Sequence, residues 1–169
     1  MNDINRPSVN NMGGLARFKL CPENLISNVP DAVSGVIAAQ VTFESGGRWY
    51  DFFSTLETLF FEQTSSTTNQ GKAYKQIVGC FLPGQSANLD TLFSELEQMR
   101  HILKLYDTNG HILLMCSKKG GTFTGARMTV DYNSQSKISG RKGYAIQFEL
   151  WSHTRAYFYT ATETSGSGS

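Results

Sequence analysis

The sequence predicts a mainly β domain, a β-sandwich or barrel with one packed α-helix, on three observations. Most apolar segments are short and alternate with period two, with Gly, Asn, Pro or Ser turn signals at short intervals. One segment, residues 88–100, instead repeats its apolar residues at helical spacing. Of 169 residues, 40% are hydrophobic and 17% charged, and Ser, Thr, Asn and Gly are plentiful, which fits a folded β-rich chain with a lightly charged polar surface. A chain of this length buries a core without staples. Its expected divisions are an arm over residues 1–14, one β-rich domain over 15–161 and a Ser/Gly tail over 162–169.

The arm, "MNDINRPSVNNMGG", is polar and aperiodic, the kind of terminus that orders only against something else. "LARFKLC" is the first strand, with Ala16, Phe18 and Leu20 opposite Leu15, Arg17 and Lys19, and Pro22 stops it. "VSGVIAAQVTFES" is the second, and Ser45, Gly46 and Gly47 turn it into "RWYDFFST", so a hairpin is expected. "LETLFFEQ" reads as a strand, although the spacing of Leu56, Leu59 and Phe60 also fits a helical turn. "TSSTTNQGK" reads as a loop longer than the two to five residues or so of an ordinary hairpin connection. Its functional reading is a projection, through Thr64, Ser65, Ser66, Thr67, Thr68 and Asn69, that orders on a neighbouring subunit.

The helix carries Asn88 as its expected cap and Asp90 in its first turn, with Leu89, Leu92, Phe93, Leu96 and Met99 as one apolar stripe. "HILKLYDTNGHILLMCS" is a hairpin, its turn built on positive φ at Asn109 and Gly110, and being apolar on both faces it is expected at the centre. "TFTGARMTVDY" follows as a strand. The chain then closes with a terminal hairpin in which Tyr144, Ile146, Phe148 and Leu150 face the core and "SHTR" turns into "RAYFYTA".

No phosphate loop, nucleophile elbow or paired carboxylates emerge, so the sequence predicts no enzyme and no cofactor. Cys21, Cys80 and Cys116 lack metal-ligand spacing and read as small buried hydrophobes, and no metal is expected. His101 and His111 are candidates to face each other across the "DTNG" hairpin, with an ordinary structural role as the plainer reading. The N-terminus has no basic start and no apolar stretch, and no segment is long enough to span a bilayer, so synthesis in a cytoplasm and no membrane partner are expected. Net charge is +1, but residues 1–99 balance to −4 and residues 100–169 to +5. If that division survives folding, it offers complementary faces to copies of the chain itself. Lys118, Lys119, Arg141 and Lys142 form a candidate basic surface near Phe123, Tyr132, Tyr144 and Trp151, which an OB-like module would use for single-stranded nucleic acid or a glycan.

The order of elements, with "WYDFF", "GKAYKQIVGCFLP", one helix, "YDTNGHILL", "GYAIQFEL" and "AYFYT", resembles virion proteins of tailed bacteriophages, especially those of gut Bacteroidetes. The resemblance runs from about Leu15 to Thr160 and rests on Gly71, Tyr74, Gly79, Asp107, Gly110, Gly143, Tyr144 and Tyr159. It implies a tail-tube-like fold and a homo-oligomeric ring, often hexameric, stacked around a lumen for genome passage. Other tail or neck proteins, and passing DNA in transient contact, would be the partners, and the virion tail the location. Tail terminator, adaptor and baseplate components share the architecture and remain open. By the same resemblance the 64–69 segment and an assembly arm containing Asn5, Arg6, Pro7, Asn10 and Asn11 would contact the next subunit or ring.

Overall fold

A computed structural model of the chain describes residues 14–55, 58–68, 71–133 and 142–162. Its elements in chain order are β1 Leu15–Pro22, a 3-10 turn Glu23–Leu25, β2 Ile26–Asn28, β3 Val36–Ile37, β4 Thr42–Phe43, β5 Tyr50–Phe52, β6 Phe60–Thr68 and β7 Gly71–Pro83. There follow α1 Ala87–Glu97, β8 Arg100–Asp107, β9 Ile112–Met115, β10 Ser117–Lys119, β11 Thr122–Thr124, β12 Ala126–Asn133, β13 Gly143–Ser152 and β14 Tyr157–Tyr159.

The central element is β8. It pairs with β1 from His101 to Asp107 and with β9 from Leu103 to Tyr106. It meets β12 only through Arg100–Arg127 and His101–Ala126. That short join lets one ten-stranded sheet fold into two layers, β5-β1-β8-β9-β14-β3 and β12-β13-β7-β6. The end strands β3 and β6 do not pair with each other, so the fold is a sandwich and not a closed barrel. Between the layers Phe18 and Phe52 set their rings edge-on to Phe148, with centroids 5.7 and 6.1 Å away. A second apolar cluster, with Ile37, Val41, Ile102, Leu114 and Tyr159, lies under the segment that carries β2 to β4. Buried residues of β8 thus belong to both clusters, as expected of a hairpin apolar on both faces. The exception is Lys104, fully buried with its ammonium 4.5 Å from the Tyr159 ring centroid and 5.9 Å from that of Trp49.

The alternation of β13 is as expected, with Tyr144, Ile146, Phe148 and Leu150 all buried. In β1 it holds for Phe18 and Leu20, while Ala16 is exposed where the register with β8 shifts between Leu15 and Arg17. The strand partners differ from the expected ones. The second and third strand candidates form no hairpin: β3 pairs with β14, β4 with β2 and β5 with β1. The chain does turn at Ser45–Gly47, where the Gly47 amide donates to the Glu44 carbonyl at 2.9 Å, but it turns between strands of different sheets. Gly47 is needed because a Cβ there would lie 2.3 Å from the Leu25 carbonyl oxygen. Nor is there a terminal hairpin, since β14 leaves β13 and pairs with β9 on the far layer. In the "DTNG" turn Gly110 alone has positive φ, at 84°. Asn109 instead donates through its side-chain amide to the Asp107 carboxylate at 3.0 Å, a local bond that fixes the turn.

The helix forms with Phe93 buried edge-on against Tyr144 at 4.9 Å. It ends at Glu97, so Met99 of the expected stripe lies beyond it and Arg100 already begins β8. Its cap is Ser86 and not Asn88: the Ser86 hydroxyl accepts from the Leu89 amide at 3.2 Å, and Asn88 already lies in the first turn. The Tyr144 hydroxyl donates to the Asp90 carboxylate, tying that first turn to β13. Ser86→Ala is expected to lower unfolding free energy by about 1 kcal/mol, read from the urea midpoint at unchanged slope. Asn88→Ala is expected to leave that midpoint unchanged.

Candidate assembly surface

The segment expected to be a long loop is a strand. From Phe60 to Thr68, β6 pairs in continuous register with β7, ending at Thr68–Gly71; Asn69 lies outside the described residues. Polar Ser and β-branched Thr suit a two-stranded ribbon with both faces wet, and nothing in the alternation of apolar residues reveals it. Since β13 pairs with β7 only as far as Tyr74, the pairs Ser66–Ala73, Thr67–Lys72 and Thr68–Gly71 extend past the sheet, by about 10 Å at strand rise. The base of this ribbon is braced. The Ala156 amide donates to the Gln63 side-chain oxygen at 2.9 Å, and the Gln76 side-chain amide donates to the Thr154 carbonyl at 3.1 Å.

The outer edge of β6 has no strand partner among the described residues, and neither has that of β5; the outward N–H and C=O of Val36 in β3 are both bonded to Val33. Edges of this length usually carry Lys, Pro or a bulge that blocks pairing with another chain. Over nine residues β6 carries one charge, Glu62, and no Pro. Apolar side chains lie exposed near these edges. Phe60, half exposed, lays its ring over Gly79, where a Cβ would meet it at 2.3 Å, and Phe53 is 83% exposed. Toward β3, Val33 is 77% exposed and Phe158, on β14, is half exposed.

No protein-family model, curated protein or solved structure matches this chain. Its chemistry is read from its own geometry.

The candidate basic surface does not come together. Lys118 turns inward, its ammonium 2.7 Å from the Asp31 carboxylate and donating to the Val29 carbonyl. Lys119 and Lys142 are exposed, but Lys119 lies on the sheet formed with β11 near the Ala126 end of β12, and Lys142 lies beside the Asn133 end. Eight residues of strand put those ends about 25 Å apart. Arg141 lies outside the described residues, as do Asn5, Arg6, Pro7, Asn10 and Asn11 of the arm. Of the neighbouring aromatics, Tyr144 belongs to the core, while Trp151 is exposed and its indole N–H donates to the Glu149 carboxylate at 2.9 Å. The Lys75 ammonium, 2.9 Å from Glu149, holds that carboxyl below the usual range, so acid and base neutralise each other on this face.

His101 and His111 do not face each other. The β8–β9 register places Leu103 opposite Met115, so His101 lies beyond the end of β9 and His111 beside the turn. His101 is fully buried, neither ring nitrogen has a partner, and burial pushes its pKa down to about 4. The three cysteines are buried free thiols, with burial pushing Cys21 up to about 11 and Cys80 and Cys116 up to about 12, which keeps them protonated and inert. Among the described residues no group of three His, Cys, Asp or Glu converges as a metal site, and no helix is long and apolar enough to cross a membrane.

Sequence reasoning missed Phe53, Phe60 and Val33 as surface residues. Their only signal is an apolar residue on the face of an alternating segment that its polar neighbours mark as wet, and a face cannot be assigned while the partners are unknown.

Proposed function

We propose that this protein is a structural, non-catalytic subunit of a tailed-phage virion, a tail-tube protein whose copies form stacked rings around a lumen for genome passage. The observation that carries the reading is the two unpaired outer edges of β5 and β6, one in each sandwich layer, with exposed Phe53 and Phe60 beside them. Two different surfaces that meet head to tail generate a closed ring when the rotation between copies closes. The projecting β6–β7 ribbon is suited to reach the next ring. A ring-capping role in the tail or neck would use the same surfaces and differ only in its partners. A nucleic-acid module is disfavoured by the inward turn of Lys118 and the distance between Lys119 and Lys142.

Electron microscopy with native mass measurement on concentrated protein tests this. Rings of defined order that persist in high salt are expected, and a strict monomer refutes self-assembly. Replacing residues 66–73 by an Asn-Gly turn keeps the Ser65–Tyr74 pair as the last of the ribbon. The shortened protein is expected to melt within about 2 °C of the parent and to form single rings without tubes. Tubes of normal length from it would remove the ribbon from stacking.

A further inference from the structure

The layer β5-β1-β8-β9-β14-β3 has a different surface feature at each side. Before β3 the chain reverses tightly, Val33 and Val36 exchanging backbone hydrogen bonds of 2.9 and 3.0 Å. The turn residues are Ser34 at φ 52° and Gly35 at φ 82°, two positive angles as in the tight hairpin turns that suit strand twist. Ser34 is the one non-glycine residue with positive φ among the described residues. This unfavourable geometry presents Val33, an apolar side chain 77% exposed, as a knob with nothing packed over it.

At the β5 side lies a groove of about 340 Å³ between α1 and the sheet, lined chiefly by Leu20, Pro22, Phe52, Leu92 and Leu96 with Asp51 among them. Leu92 belongs to the apolar stripe of α1, yet it stays 46% exposed because the groove is not filled. The charges around the two features are opposite. Of the helix acids, Asp90 accepts from the Tyr144 hydroxyl and Glu97 from the Val130 amide on the other layer, and Asp51 in the groove lies 3.8 Å from the Lys19 ammonium. The exposed Glu95, next to Leu96, is therefore the charge beside the groove. In the hollow beside the Val33 turn the inward Lys118 is paired with Asp31 at 2.7 Å, which leaves the exposed Arg155 as its charge.

We propose that the Val33–Val36 turn of one copy seats in the β5–α1 groove of the next, as the anchor of a head-to-tail interface. The contact rests on the ring reading and specifies which surfaces meet. It needs a second copy because knob and groove lie on opposite sides of the same layer. Glu95 of the helix then meets the Arg155 side of its neighbour, which sets the direction of association and disfavours a symmetric knob-to-knob pair.

The test is sedimentation velocity and native mass on the full chain, on Val33→Asp and Leu92→Asp separately, and on their equimolar mixture. Both positions are exposed, and circular dichroism checks that each variant folds; Val33→Lys and Leu92→Gln repeat the test with other chemistry. Each variant alone is expected to lose association at least tenfold. Their mixture is expected to give one-to-one heterodimers, because Val33→Asp keeps its groove and Leu92→Asp keeps its knob. Rings at parental strength from either variant overturn this contact and leave the ring reading standing, and so does a mixture that stays monomeric beside an assembling parent. A parent that is itself monomeric overturns both.

Discussion

Replacing His101 by Leu is expected to remove about 3 kcal/mol of acid destabilisation between pH 7 and pH 4. The imidazole is fully buried, its ring 5.9 Å from that of Phe148, and neither nitrogen has a hydrogen-bond partner. Charging it there without a counter-ion is costly, which is why burial takes its pKa from 6.5 to about 4. As pH falls, the unfolded chain takes up this proton near 6.5 while the folded chain does not until about 4. Stability from this residue is therefore constant above 6.5, falls between 6.5 and 4, and levels off below. At about 1.4 kcal/mol per pKa unit the loss is about 3 kcal/mol. Glu149 and Asp107, whose folded pKa values are lowered, also lose stability in acid, but they titrate in both proteins and cancel in the difference. The measurement is urea unfolding at pH 7, 5.5 and 4. Curves for His101→Leu and parent that run parallel would show that His101 is not the source. At pH 7 the variant is expected to be at least as stable as the parent, since two unpaired polar atoms leave the core.

Gly125→Ala is expected to cost about 3 kcal/mol at every pH, without changing the shape of that profile. A Cβ at Gly125 would lie 2.5, 2.6 and 2.9 Å from the carbonyl oxygen, carbonyl carbon and amide nitrogen of His101. These are backbone atoms of β8, and no side-chain rotation relieves the clash. Gly125 is also clasped on both sides. Its amide donates to the Glu23 carboxylate at 2.8 Å, and its carbonyl accepts from the Arg100 guanidinium at 3.2 Å. The clasp stands beside the two residue pairs that join the sandwich layers, so displacement there separates β12 from β8. A fall of less than about 0.5 kcal/mol in urea unfolding would show that the junction yields. Hydrogen exchange supplies a second reading: amides of β12 near Ala126 are expected to lose protection before those of β1.

How far the sequence carried can be followed strand by strand. The period of β13 shows which side chains face the core, and the stripe of α1 shows which face of the helix is apolar, because both are local consequences of backbone geometry. The β8–β9 hairpin is equally legible, since its turn lies between its partners. Partnership at a distance is not. The pairing of β14 with β3 joins residues over a hundred positions apart, and nothing in the alternation of either strand names the other. The same gap hid the candidate surface: Thr64 to Thr68 looks like a loop by composition, and only continuous pairing with β7 makes it a projecting ribbon.

By itself, then, the sequence determined a mainly β domain with one helix, a central apolar hairpin, buried cysteines and a divided charge, all properties of local period and composition. Tertiary structure decided which strands meet, which edges stay unpaired, that Lys118 is held inward and that His101 is buried without a partner. The physical reason is that a β-strand's hydrogen bonds are satisfied outside itself. Its neighbours, and the edges left without neighbours, exist only once distant segments compete for the same sheet.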